Sequence, residues 1–216
     1  MAKSSEGSSL GTIAVLVLIA VVVAAVFGRD DVETPGPVLL IGDSLLFSAA
    51  DELHNALRDD GWKAHIEAQP GAGIRGGGYA DVNWPDYLKV ATATTDYKVA
   101  VIELGTNGCD GCRSLDVAID DIMAPLRELD VVLWLDVRSE APEPADPGAI
   151  NEALRRATTR WPNLEVLSYD DWLDATPGMV DADGVHLTPA GQLTFTQHVR
   201  DALRDRSDAG HRAAGE

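Results

Sequence analysis

Basic side chains are scarce in this chain: 17 Lys and Arg stand against 35 Asp and Glu in 216 residues, a formal net charge of −18. Such a surface repels phosphate backbones and anionic headgroups, which argues against nucleic acid as a partner and keeps the folded chain soluble. Cysteine is nearly absent, with Cys109 and Cys112 as the only two. Two thiolates alone do not complete a four-ligand zinc site. The folded body carries no Gly-x-Ser-x-Gly elbow and no His-Glu-x-x-His segment, so two common hydrolase signatures are missing. No internal repeat is present. What is plentiful is apolar side chain, 45% of residues, enough for a sizeable core in one domain.

Charge is also missing locally. Leu10 to Phe27 contains no charged residue, and the uncharged window extends from Gly7 to Gly28. At ~1.5 Å per residue the apolar run just crosses a ~30 Å hydrocarbon layer. It is long for the h-region of a cleaved signal, so the expectation is a transmembrane signal anchor over residues 10–28, after a short cytoplasmic N-terminus of residues 1–9. Removal as a signal peptide at Val23-Ala24-Ala25 is the alternative. Lys3 precedes the run and Arg29-Asp30-Asp31-Val32-Glu33 follows it, which places the body outside the cytoplasm by the positive-inside bias.

Residues 29–37, with two prolines and a glycine, read as a linker. From Val38 strand-like and helix-like segments alternate up to residue 206, and residues 207–216 read as a flexible tail. Val38–Ile41, Ala64–Ala68, Tyr97–Leu104, Val131–Val137 and Leu164–Leu167 are the strand candidates. Leu45–Leu57, Leu115–Leu129 with Pro125 inside it, Ala149–Arg160 and Pro189–Arg204 are the helix candidates. Nearly continuous apolar strands separated by helices predict an α/β protein with a parallel sheet covered on both faces. Sites in such folds lie beyond the carboxyl ends of the strands.

Four segments at those ends carry chemistry. Gly42-Asp43-Ser44-Leu45 follows the first strand and opens a helix, so Ser44 is either a nucleophile beside backbone N–H donors or, with Asp43, an N-cap. Gln69 to Gly78 follows the second strand and holds Gly71, Gly73 and Gly76 to Gly78, suited to exposing an N–H or simply to bending; it lacks the context of a dinucleotide fingerprint. Gly105-Thr106-Asn107-Gly108 follows the third strand, where an Asn amide can donate to an oxyanion or shape a turn. Asp183-Gly184-Val185-His186 precedes a helix that Thr188 caps and Pro189 begins. Asp-x-x-His also occurs at Asp51–His54, mid-helix, and at Asp208–His211, in the tail. Only Asp183–His186 sits in a loop, where a carboxylate can fix the imidazole tautomer.

In order and spacing these four blocks resemble the SGNH hydrolases, also called GDSL esterases and lipases, over roughly Val38 to Arg204. The resemblance implies a three-layer flavodoxin-like fold with about five parallel strands and helices on both faces. It implies Ser44 as nucleophile, His186 as base and Asp183 as its orienter. An oxyanion hole would come from the Ser44 N–H, the Gly71 N–H (Gly73 being the alternative) and the Asn107 side chain, with no metal and no cofactor. The third block departs from the family by continuing with Gly108 where Asp is common.

Cys109 and Cys112, two residues beyond Asn107, are expected as a disulfide outside the membrane. The substrate expected is a small-molecule or glycan ester, cleaved through an acyl-enzyme. Acyl transfer to or from envelope polysaccharide is a second reading, and a non-catalytic envelope-binding domain a third.

Overall fold

The computed structural model describes residues 35–76, 82–141 and 146–214, with the side chains of 207–214 outside the description. The apolar run at residues 10–28, expected to span a membrane, therefore lies outside the described residues. Among those described, no helix is long and apolar enough to cross a membrane.

Five strands form one parallel sheet: β1 (Gly36–Gly42), β2 (Trp62–Ala68), β3 (Val99–Glu103), β4 (Val131–Leu135) and β5 (Leu164–Leu167), in the order β2-β1-β3-β4-β5. This is the doubly wound order of flavodoxin-like sheets. Among the described residues six helices cover it: α1 (Ser44–Asp59), α2 (Trp84–Thr94), α3 (Leu115–Met123), α4 (Pro147–Ala157), α5 (Tyr169–Ala175) and α6 (Pro189–Ala214).

The strand pattern explains the layering. In the central strands successive residues point to opposite faces and both faces are buried, which requires the unbroken apolar runs seen in the sequence. Leu39, Ile41, Ala100, Ile102, Val132 and Trp134 enter one core, shared with α2, α3 and α4. Val38, Leu40, Val99, Val101, Val131 and Leu133 enter the other, shared with α1, α5 and α6. The edge strand β2 alternates instead, because Ala64 and Ile66 meet the second core while Lys63 and His65 are left near solvent.

The α/β architecture matches the expectation, and the differences have local causes. Strand β1 begins at Gly36, so the last two residues of the expected linker pair with β2. Pro125 ends α3 early, and Ala124–Leu126 continues as a 3₁₀ turn, because proline removes a helix donor. Helix α6 continues its backbone to Ala214, through the segment read as a tail. Helices α2 and α5 were not foreseen. Each buries only two side chains, Trp84 with Leu88 and Tyr169 with Leu173, too few to show a helical period.

Candidate active site

The sheet order reverses at β1, which lies between β2 and β3, and the segments leaving β1 and β3 carry Ser44 and Asn107. The turn after β1 resolves which residue caps α1. Asp43 does: its Oδ1 accepts the Leu45 N–H at 3.0 Å. Ser44 is thereby released from capping, and its Oγ lies 3.1 Å from His186 Nε2. On the far side of the ring, His186 Nδ1 is 2.7 Å from Asp183 Oδ2. Asp183 Oδ1 also accepts the N–H groups of Val185 and His186, at 2.9 and 3.0 Å, so the carboxylate is locked into its own loop. These bonds, the one from His186 foremost, hold the Asp183 carboxyl down at about 2. Asp181, the nearby alternative, turns its carboxylate to the Ala182 N–H instead.

The loop carrying Asp183 and His186 is anchored at both ends. Val180 and Leu187 form an isolated antiparallel bridge. Arg138, just past β4, donates from Nη1 to the Gly184 carbonyl at 2.7 Å. Thr188 caps α6 as expected, accepting the Gly191 N–H at 3.0 Å and donating to the Gly178 carbonyl at 2.7 Å. Of the other two Asp-x-x-His pairs, Asp51 and His54 make no ion pair among the described residues, and Asp208–His211 lies outside the described side chains.

The two candidate glycines separate by what their backbones do. The Gly73 N–H donates to the Gly76 carbonyl at 2.9 Å, and a Cβ on Gly73 would sit 2.7 Å from the Gly108 carbonyl oxygen. Gly73 is therefore a close-approach residue that lets the second loop lie against the third. The Gly71 N–H, at φ +79, has no acceptor among the described residues and is free to meet a ligand. Ile74 N–H to Gly108 C=O and Asp110 N–H to Arg75 C=O complete the pairing of these loops, at 2.9 and 3.0 Å. Cys109 and Cys112 are within bonding distance in the third loop, with Cα atoms 5.6 Å apart, inside the range a disulfide accepts. Arg75 makes only a loose, exposed approach to Asp121 at 3.9 Å, worth little in energy.

Asn107 is more constrained than a free oxyanion donor. Its Nδ2 donates to Asp43 Oδ2 at 2.9 Å and to the Ala72 carbonyl at 3.1 Å, using both amide hydrogens. Two buried acids, Asp43 and Glu103, lie behind the site, 0% and 4% exposed. Sequence reading passed over Glu103. The available signal was one acidic residue inside the apolar run from Val99 to Leu104, because a charged group in a strand buried on both faces must have partners.

No family model matches the sequence, and no relative was found among curated proteins. Among solved structures, the C-terminal catalytic domain of Streptococcus pneumoniae peptidoglycan O-acetyltransferase A superposes with a TM-score of 0.60 at 18% identity, covering 80% of this chain and 95% of that one. A family 3 carbohydrate esterase from Clostridium thermocellum gives 0.55 at 15%, covering 79% and 98%. A lipolytic G-D-S-L family protein from Veillonella parvula gives 0.56 at 13%, covering 77% and 97%. The fold is that of the SGNH-type hydrolases. Identities this low carry the SGNH fold and not the substrate, so the chemistry rests on the side chains of this chain.

Proposed function

We propose that this chain is a serine esterase that cleaves carboxylic esters through an acyl-enzyme. The observation that carries this reading is the unbroken line Ser44 Oγ, His186 Nε2, His186 Nδ1, Asp183 Oδ2, at 3.1 and 2.7 Å. In it, His186 takes the Ser44 proton as Oγ attacks the ester carbonyl, and the imidazolium that forms is stabilised by Asp183. His186 then returns that proton to the departing alcohol. Water, activated by His186 in turn, attacks the acyl-Ser44 carbonyl and releases the acid.

The tetrahedral oxyanion is received by the N–H groups of Ser44 and Gly71, neither of which donates to another group among the described residues, together with the Asn107 amide. Gly71 takes this role in preference to Gly73, whose N–H is occupied. Residues 10–28 serve as a membrane anchor that keeps the body outside the cytoplasm, with residues 29–35 as the linker. In that oxidising setting Cys109–Cys112 is a disulfide that braces the third loop.

A second reading is supported by the likeness to the peptidoglycan O-acetyltransferase domain and the carbohydrate esterase. Here the ester is an acetylated envelope polysaccharide, and the acyl-enzyme is discharged to a sugar hydroxyl or to water. Purified ectodomain, residues 29–216, should hydrolyse p-nitrophenyl acetate. Supplying an acetylated glycan with and without a sugar acceptor separates the two outcomes: free acetate alone means hydrolysis, and acetylated acceptor means transfer. No turnover of either ester would remove the assignment.

A further inference from the structure

Glu103 sits at the end of β3 directly beneath the Ser44 turn, and the mechanism above makes no use of it. Its Oε2 accepts the N–H of Asp43 at 3.1 Å and the N–H of Leu46 at 3.2 Å. Asp43 Oδ1 accepts the Leu45 N–H, and the Asp43 carbonyl accepts the Phe47 N–H at 2.9 Å. The donors of the first turn of α1 are thus claimed one by one, and the Ser44 N–H alone is left over among the described residues. Glu103 takes part in producing the vacant donor that the oxyanion needs.

The two acids are close neighbours, since the Asp43 N–H is held by Glu103 Oε2, and both are buried. Neither forms an ion pair with Lys or Arg among the described residues. Two neighbouring buried carboxylates with no cation between them repel, and the repulsion is relieved if one of them keeps its proton. Asp43 accepts on both oxygens, from Leu45 on Oδ1 and from Asn107 on Oδ2, whereas both N–H groups that Glu103 accepts fall on Oε2, which leaves Oε1 to carry the proton.

We propose that Glu103 is a positioning residue, a protonated carboxyl that donates to Asp43 and through it fixes the Asn107 amide and the free Ser44 N–H in the oxyanion hole. This rests on the esterase reading for its kinetic consequence, though not for the proton itself. Burial and the Asp43 charge both push the Glu103 carboxyl well above the usual carboxylate range, in the same direction as the geometry. The charged and titratable groups facing the pair are His186, beyond Asp43, and the buried Tyr169 hydroxyl of α5, with Arg138 behind it. None of these bonds Glu103. Ionisation of Glu103 places two repelling charges in a dry site and shifts Asp43, and Asn107 with it.

Glu103→Gln tests this, because an amide keeps a neutral donor for Asp43 and an acceptor for the two N–H groups, whereas Glu103→Leu keeps neither. On p-nitrophenyl acetate, Glu103→Gln should hold kcat within roughly threefold of the parent near neutral pH, and Glu103→Leu should lower kcat by more than about tenfold with KM little changed. The parent kcat should decline as pH rises through the Glu103 range, and Glu103→Gln should remove that limb. Infrared spectroscopy reads the proton directly: a protonated buried carboxyl band should be present in the parent at neutral pH and lost in Glu103→Gln, even if Glu103→Leu fails to fold or no ester is turned over. Absence of that band, a pH limb unchanged in Glu103→Gln, or full kcat in Glu103→Leu would overturn the proposal.

Discussion

Asn107 is the residue whose double commitment matters most. An oxyanion donor should point its hydrogens at empty space, yet both amide hydrogens are already held, by Asp43 Oδ2 and by the Ala72 carbonyl. The bonds fix the amide plane before substrate arrives, and one must bend or be shared as negative charge grows on the carbonyl oxygen. Asn107→Ala should therefore lower kcat by ~10²–10³, equivalent to about 2.7–4 kcal/mol, with KM little changed. Because the side chain also ties the third loop to the first, a modest fall in melting temperature should accompany the loss. Measuring kcat and melting temperature on one preparation checks this; normal turnover with only a lowered melting temperature would leave the oxyanion to Ser44 and Gly71.

Among the elements, the start of α6 has the least freedom. Gly191 lies so close to the segment before the His186 loop that a Cβ there would meet the Met179 carbonyl oxygen at 2.0 Å. Gly191→Ala must push α6 away from Met179, and Thr188 with it, since Thr188 is bonded to the same segment. Overpacking of this kind costs about 1–3 kcal/mol, and the displaced His186 loop should lower kcat in the folded fraction as well. Denaturant unfolding together with steady-state kinetics on the variant would show both losses; unchanged stability would contradict the close approach.

Elements also differ in how well the sequence announced them. β1, β3 and β4 were readable because strands buried on both faces are built from nearly unbroken apolar runs, and α1 because Leu45, Ala49, Leu53 and Leu57 mark a helical stripe. Thr188 and Pro189 announced the start of α6 through cap chemistry. α2 and α5 were hidden because two buried residues make no period, and the helix expected over 115–129 was shortened by Pro125. Within the site, Ser44, Asp183 and His186 were legible as residue types in loops at strand ends. The choice between Gly71 and Gly73 was not, because it depends on a bond from the Gly73 N–H to Gly76 that no spacing reveals. Glu103 was missed for a related reason: its meaning comes from Asp43, 60 positions away, across β1 and β3.

For the molecule as a whole, the buried acid pair gives stability a definite sign of response to pH. Burial raises Asp43 from its ordinary 3.8 to about 6, and Glu103 rises well above its ordinary value for the same reason. The folded state then binds more protons than the unfolded chain, so this contribution is complete below the unfolded range and is lost as pH rises through the folded values. Asp60 and Asp116 are lowered by their arginine partners and act in the opposite sense, but only at acid pH. Melting temperature should thus fall above about pH 6 in the parent more steeply than in Glu103→Gln. Parallel curves for the two proteins would refute the sign.

The kinetic expectations all depend on Ser44 being the nucleophile. Replacing its hydroxyl removes only one surface-facing oxygen, since Asp43 and not Ser44 caps α1, so the fold should survive unchanged. The most direct measurement is p-nitrophenyl acetate turnover by Ser44→Ala beside the parent, with circular dichroism on the same samples. Activity falling by roughly 10⁴-fold or more at an unaltered spectrum is the result this account predicts. Turnover within a few-fold of the parent, from a variant folded like it, would contradict it.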